Sequence, residues 1–337
     1  MLIARNKAGE LVAALKAKKQ EEYHCPVCQK PVCLKQGQKQ RTHFAHQREH
    51  CCKIVTEGET NEHIAGKNWL HQRLENSQLE VYLPQLKQRP DLLVNKTTVE
   101  FQCSVLDLSR LKARTKNYQS FHYQPWWIVG QRFIPQQQLS QLQKAFCYWQ
   151  QTAYLWHLDT AANQLRLYYL ANWDFNRGYQ WQCQNVAENT NLTSYTSHVS
   201  SLTSNKFYWR NAAYKRFLRQ RLFQRQPRFL RLQHFFYQRY SHILDLPFWC
   251  YSSSRYHFFF EHELLLLRFL YLRNNNCQQW IKDLSQLKWQ WDFPLVSQKI
   301  ILKEIYLECQ RLSGREKESF LPPKKGSCDS IESNRRG

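Results

Sequence analysis

Residues 79–105 constrain the fold of this chain more tightly than any other stretch. They hold three short β-type runs, LEVYLP (79–84), RPDLLVN (89–95) and TTVEFQCSV (97–105), and Asn95 and Lys96 suit a tight turn between the last two. Helical patterns flank them at about 60–76 and 107–120, and QPWWIVG (124–130) reads as a buried strand ending at Gly130. The order α-β-β-β-α-β predicts an α/β sheet domain.

In the hairpin, Pro90-Asp91 opens one strand and, after eight intervening residues, Glu100-Phe101-Gln102 lies in the next. A period of two puts residues 100 and 102 on one face, and the hairpin brings Asp91 beside them. Two carboxylates at a sheet edge can bind Mg²⁺ or Mn²⁺, hard cations that take oxygen ligands and keep several waters. A water acidified by such a metal can attack a phosphodiester. The preceding helix places Glu59, His63 and Lys67 on one face, with Glu62 one step round the same end. An acidic hairpin by itself reads equally well as a solvated face. The acid, imidazole and ammonium gathered just before it favour a site.

Cys25-Pro-Val-Cys28 precedes His43-Phe-Ala-His46 by fourteen residues. Two close pairs of this kind can supply the four tetrahedral ligands of zinc. The histidine pair is tighter than the usual finger spacing, so a ribbon or knuckle is expected, and Cys33, His50, Cys51 or Cys52 could replace one ligand. With no water-activating carboxylate at a suitable spacing, the zinc would be structural. Residues 21–52 show little apolar periodicity and need such a staple.

Taken together, the motifs P-D-x8-E-F-Q (90–102), CPVC…HFAH (25–46), GETNEHIAGKNWL (58–70) and WWIVG (126–130) resemble the competence protein CoiA family, over roughly residues 20–135. More broadly, P-D-x8-E-F-Q resembles the PD-(D/E)xK nuclease pattern, with Gln102 where lysine is usual. The resemblance implies an α/β restriction-endonuclease-like core, a small N-terminal zinc module and an α-helical C-terminal domain. It implies action on incoming single-stranded DNA in natural transformation and recombination, with competence or recombination proteins as partners. By position, Asp91 and Glu100 would be Mg²⁺ ligands, Glu62 the helix acid and Gln102 the occupant of the usual lysine position. Lys67, with His63 beside it, could replace that lysine from the helix. Failing that, the chain would be a non-catalytic single-stranded-DNA adaptor. An RNA-binding zinc protein would suit the charge but leaves the acidic hairpin unexplained.

Forty-eight Lys and Arg against 26 acids give a formal charge of +22, which attracts polyanions. Much of the excess lies in 207–240, where aromatic rings interleave with Arg216, Arg219, Arg225, Arg228 and Arg231. Arginines there can neutralise phosphates while rings stack on unpaired bases, although such a stripe also suits an amphipathic core helix. Pro227 is expected to divide the segment into two helices. No secretory segment or membrane span is evident, and the twelve scattered cysteines favour reduced thiols or metal ligation, so a cytoplasmic location is expected.

The expected domains are 1–55 (hairpin and zinc module), 56–184 (nuclease-like, motif core 58–135), 206–312 (basic, with long aromatic-rich helices) and 313–337 (disordered tail). A polar linker is expected over 185–205, a Gln-rich helix over 132–150, and two or three strands over 152–182.

Overall fold

The computed structural model describes residues 1–37, 40–46, 60–187, 192–193, 208–274, 276–287 and 289–314. Most of the expected linker, the tail beyond 314, Glu59, His50, Cys51 and Cys52 lie outside those residues. The chain forms two compact units, one of residues 1–209, 253–261 and 289–298, the other of 210–252, 262–288 and 299–337.

In the first unit an antiparallel sheet of order β2-β1-β3-β4-β5 contains β1 (Ile3–Arg5), β2 (Leu11–Ala13), β3 (Tyr23–His24), β4 (Pro31–Gly37) and β5 (Gln40–His46). It has a small apolar core of its own: Met1, Ala4, Ala14, Tyr23, Cys25, Val32 and Phe44, with the Tyr23 and Phe44 rings 4.9 Å apart. The expectation that this region lacks a core is corrected here. Alternation in β4 and β5 supplies Val32 and Phe44, residues 1–14 supply Met1, Ala4 and Ala14, and β3 with the turn after it supplies Tyr23 and Cys25.

Next come α1 (Asn61–Arg73), β6 (Gln78–Leu79), β7 (Leu92–Val94), β8 (Thr97–Gln102), α2 (Leu108–Ser120) and β9 (Gln124–Val129), in the α-β-β-β-α-β order expected. Asn95, at φ 52°, makes the β7–β8 turn in the left-handed region that asparagine tolerates. Then follow α3 (Gln141–Ala145), β10 (Tyr148–Trp149), β11 (Ala153–Asp159), β12 (Gln164–Asp174) and β13 (Gly178–Asn185). The mixed sheet runs β13-β12-β11-β9-β8-β7-β6, with β10 on β11 and with β8–β9 and β9–β11 parallel.

Two expected elements are shorter than foreseen. The run at 79–84 stops at Leu79, because Glu80 takes φ 52° and turns its carboxylate inward. The helix expected at 132–150 shrinks to α3, since Pro135 cannot donate to a helical ladder and the Ser140 capping box starts the helix late.

Alternation along β8 positions the site. Val99 and Phe101 enter a core with Leu70 of α1, Leu74 just after it, Trp126, Ile128 and Trp156. Glu100 has the opposite parity and meets Tyr118 of α2. α6 (His257–Phe260) also belongs to this unit.

The second unit contains α4 (Asn211–Phe223), α5 (Pro227–Tyr237), α7 (Leu264–Arg273), α8 (Cys277–Ser285) and α9 (Gln298–Leu312). Pro227 occupies the first turn of α5, where its missing N–H costs nothing, and the helices run 9–15 residues rather than long. No helix among the described residues is long and apolar enough to cross a membrane.

Candidate functional site

Thr60 caps α1 by accepting from His63 N at 3.1 Å. Gly66 lets the helix lie directly on β8, where a Cβ would stand 2.0 Å from the Phe101 ring. At that separation His63 Nε2 lies 3.0 Å from Asp91 Oδ2, and Phe101 N–H donates to the same oxygen at 2.8 Å. Lys67 Nζ stands 3.9 Å from Asp91 Oδ1. Burial pushes the Asp91 carboxyl up, but His63, Lys67 and the Phe101 N–H outweigh it and hold the group well below the usual carboxylate range.

Glu100 is placed differently. Its Oε1 accepts from Tyr118 Oη at 2.5 Å and pairs with Arg114 Nη2 at 2.7 Å. Burial nonetheless pushes its carboxyl up to about 7, against Arg114 and with help from Asp91. Thus one carboxylate is held ionised and its neighbour is poised near neutrality. Both line one pocket with Thr60, His63, Gln102, Cys103, Ser104 and Arg114.

The other expected members stand nearby in different roles. The Gln102 amide donates to Ser104 O at 2.8 Å and to Ser104 Oγ at 3.2 Å. Lys67 is almost fully buried and closes on Glu80 Oε1 at 2.5 Å. Glu62 accepts from Gln131 N at 2.8 Å beside Gly130, where a Cβ would come within 2.4 Å of its Oε1. Burial, together with the Glu62 and Asp91 carboxylates, raises the Cys103 thiol strongly.

In the N-terminal sheet the Cys25, Cys28 and His46 ligand atoms lie within 4.8 Å of one another, a set that could hold a metal such as zinc. Val27 N–H points at Cys25 Sγ at 3.5 Å, and Cys28 Sγ is 3.3 Å from His46 Nε2. His43 does not join this trio. In β5, residues 44 and 46 share a face and 43 takes the other, so inward Phe44 carries His46 toward Cys25 and leaves His43 opposite. Cys33, paired in register with Ala45, likewise has the parity of the far face.

The model for competence protein CoiA, nuclease-like domain, matches residues 59–197, and that for competence protein CoiA, N-terminal domain, matches 8–55. Together they span more than half of the chain. It belongs to the competence protein CoiA family. The competence protein CoiA of Bacillus subtilis (strain 168) is 29% identical over 140 residues, which are 39% of this chain and 38% of that protein. The chain thus matches well under half of this relative's length. No solved structure matches.

Within this CoiA-family chain the nuclease-like match contains the whole Asp91–Glu100 pocket and stops before α4. Four of the five basic-segment arginines, Arg216, Arg219, Arg225 and Arg231, are exposed, whereas Arg228 forks onto Glu263. Arg114, Tyr118 and Glu80 were not foreseen. The spacing of Arg114 and Tyr118, four apart on a helix that follows the acidic strand, was the available signal. Glu80 carried none.

Proposed function

We propose that this chain processes incoming single-stranded DNA during natural transformation and recombination, in the cytoplasm, by metal-dependent phosphodiester hydrolysis at Asp91 and Glu100. The observation that carries this reading is that Asp91 and Glu100 line a single polar pocket together with His63 and Arg114. The two carboxylates, hard oxygen donors, suit Mg²⁺ or Mn²⁺. When bound, the metal supplies a water of lowered pKa and charge for the phosphate.

The residues around the pair do the rest. Asp91 stays ionised because His63 and the Phe101 N–H hold its Oδ2. Glu100 must be deprotonated to serve as a ligand, and Asp91 nearby opposes that step. Glu62 steadies the β9 end at Gln131 N rather than the pair itself. Cys25, Cys28 and His46 would hold a structural zinc that fixes the turn after β3 to β5. Exposed Arg216, Arg219, Arg225 and Arg231 would bind strand phosphates.

A specific observation favours a second reading, the non-catalytic adaptor. Gln102 brings no charge to the usual lysine position, and its amide is turned to Ser104. Titration with Ca²⁺, a non-hydrolytic stand-in, separates the two. The nuclease reading expects binding that Asp91→Ala and Glu100→Gln each abolish. The adaptor reading expects no site and undiminished DNA affinity in both variants.

A further inference from the structure

A nuclease pocket with glutamine at the usual lysine position of its acidic strand needs another cation for the phosphate, and the structure narrows the choice. Gln102 is neutral and engaged with Ser104. Lys67 is 1% exposed and closed on Glu80. His63 is committed to Asp91 through Nε2. Arg114 remains.

Its guanidinium is clamped on one side and open on the other. Nη2 donates to Arg89 O at 2.9 Å and pairs with Glu100 Oε1 at 2.7 Å, while Nε donates to Tyr118 Oη at 3.3 Å. Nη1 has no hydrogen-bond partner among the described residues, and the side chain lines the same pocket as Asp91 and Glu100. The helix explains the arrangement: Arg114 and Tyr118, one turn apart on α2, face the sheet together, so Tyr118 fixes the arginine's Nε edge. A planar fork held by three contacts presents its remaining donors with little further ordering, which suits a phosphate oxygen.

We propose that Arg114 is the phosphate-contacting catalytic residue of this site, supplying from α2 the charge that Gln102 lacks. The assignment rests on the nuclease reading above. Its alternative is a purely structural arginine that only holds Glu100, and Tyr118 separates the two. Tyr118 makes the same kind of contact to Glu100 yet is fully buried, so it cannot reach a ligand.

The test is titration of thymidine 3′,5′-bisphosphate, in Ca²⁺, into wild type, Arg114→Gln, Arg114→Lys, Tyr118→Phe and Asp91→Ala, with melting temperatures recorded on each. Losing a hydrogen bond to a charged group should weaken Arg114→Gln by about ten- to a hundredfold. Arg114→Lys should fall between, and Tyr118→Phe, which removes only one of the three contacts holding the fork, should lose clearly less than Arg114→Gln. Wild-type affinity in Arg114→Gln overturns the proposal, as does an equal loss in Tyr118→Phe. If Arg114→Gln does not fold, wild-type affinity in Arg114→Lys overturns it instead. Loss in Asp91→Ala with none in Arg114→Gln leaves the nuclease site standing without this arginine. The reverse pattern keeps the phosphate contact and removes the metal site. No binding by wild type removes both.

Discussion

Lys67 Nζ lies 2.5 Å from Glu80 Oε1, and both side chains are almost completely buried. Glu80 also accepts from Leu2 N at 3.0 Å and Ile3 N at 3.3 Å, so this ion pair ties the first strand of the N-terminal sheet to α1. Burial pushes the Glu80 carboxyl up, but Lys67, Arg89 and the N-terminal ammonium outweigh it and hold the group well below its ordinary value. Removing one partner of a buried pair strands the other. Glu80→Gln should therefore destabilise the chain by about 3–5 kcal/mol in urea unfolding. A loss under about 1 kcal/mol would mean that Lys67 finds another partner or water.

Metal content checks the N-terminal trio. Purified protein should carry one zinc per chain, and Cys25→Ser or His46→Ala should lose it. His43→Ala should keep it, because parity in β5 turns residue 43 away from the cysteines. Zinc lost equally in His43→Ala and His46→Ala would contradict the β5 register.

The pH dependence has a definite sign. Glu100 sits at about 7 when folded, above its ordinary value of 4.5, so the neutral form is favoured by folding. Its contribution to stability is present below about 4.5 and is lost as pH rises through about 7. Metal binding needs the ionised form and releases that proton. Ca²⁺ affinity should therefore climb about tenfold per pH unit below 7 and level off above it. Asp91, held low, stays charged throughout this window. A flat profile between pH 5 and 8 would remove Glu100 from the metal site.

In the second unit, changing Arg216, Arg219, Arg225 and Arg231 together to Gln should weaken single-stranded DNA binding about equally for all sequences. It should also flatten the slope of log K against log salt by roughly 3, at about −0.7 per phosphate contact. Arg228→Gln should instead lower the melting temperature with the slope unchanged, because its fork is spent on Glu263. An unchanged slope in a folded quadruple variant would move the DNA path elsewhere.

Much of the site's frame was legible because it rests on local rules. The Asn95 turn and two-residue alternation in β8 both act within a few residues. What was hidden depends on contacts far apart in sequence. Glu80 sits in a run that reads as strand, and only the distant Lys67, Leu2 and Ile3 turn it inward. Lys67 has the right helical face for Asp91, but nothing local announces Glu80 as its stronger partner. His43 and His46 look equivalent by spacing, and they separate only once residues 40–46 are known to be strand. Residues 132–150 carry enough Gln to suggest a helix, yet the Gln137 carbonyl is taken by Tyr179 N at 2.9 Å.

The measurement that bears most directly on Asp91 and Glu100 is the cutting of an end-labelled single-stranded oligonucleotide by wild type and Asp91→Ala, matched for zinc content and melting temperature. Wild type should cut with Mg²⁺ or Mn²⁺ and not without added metal. Asp91→Ala should be slower by about a hundredfold or more, the loss of several kcal/mol of metal-dependent stabilisation. No cutting by wild type in either metal, or equal cutting by Asp91→Ala, would contradict hydrolysis at this pair. The first of these results would leave the adaptor reading in its place.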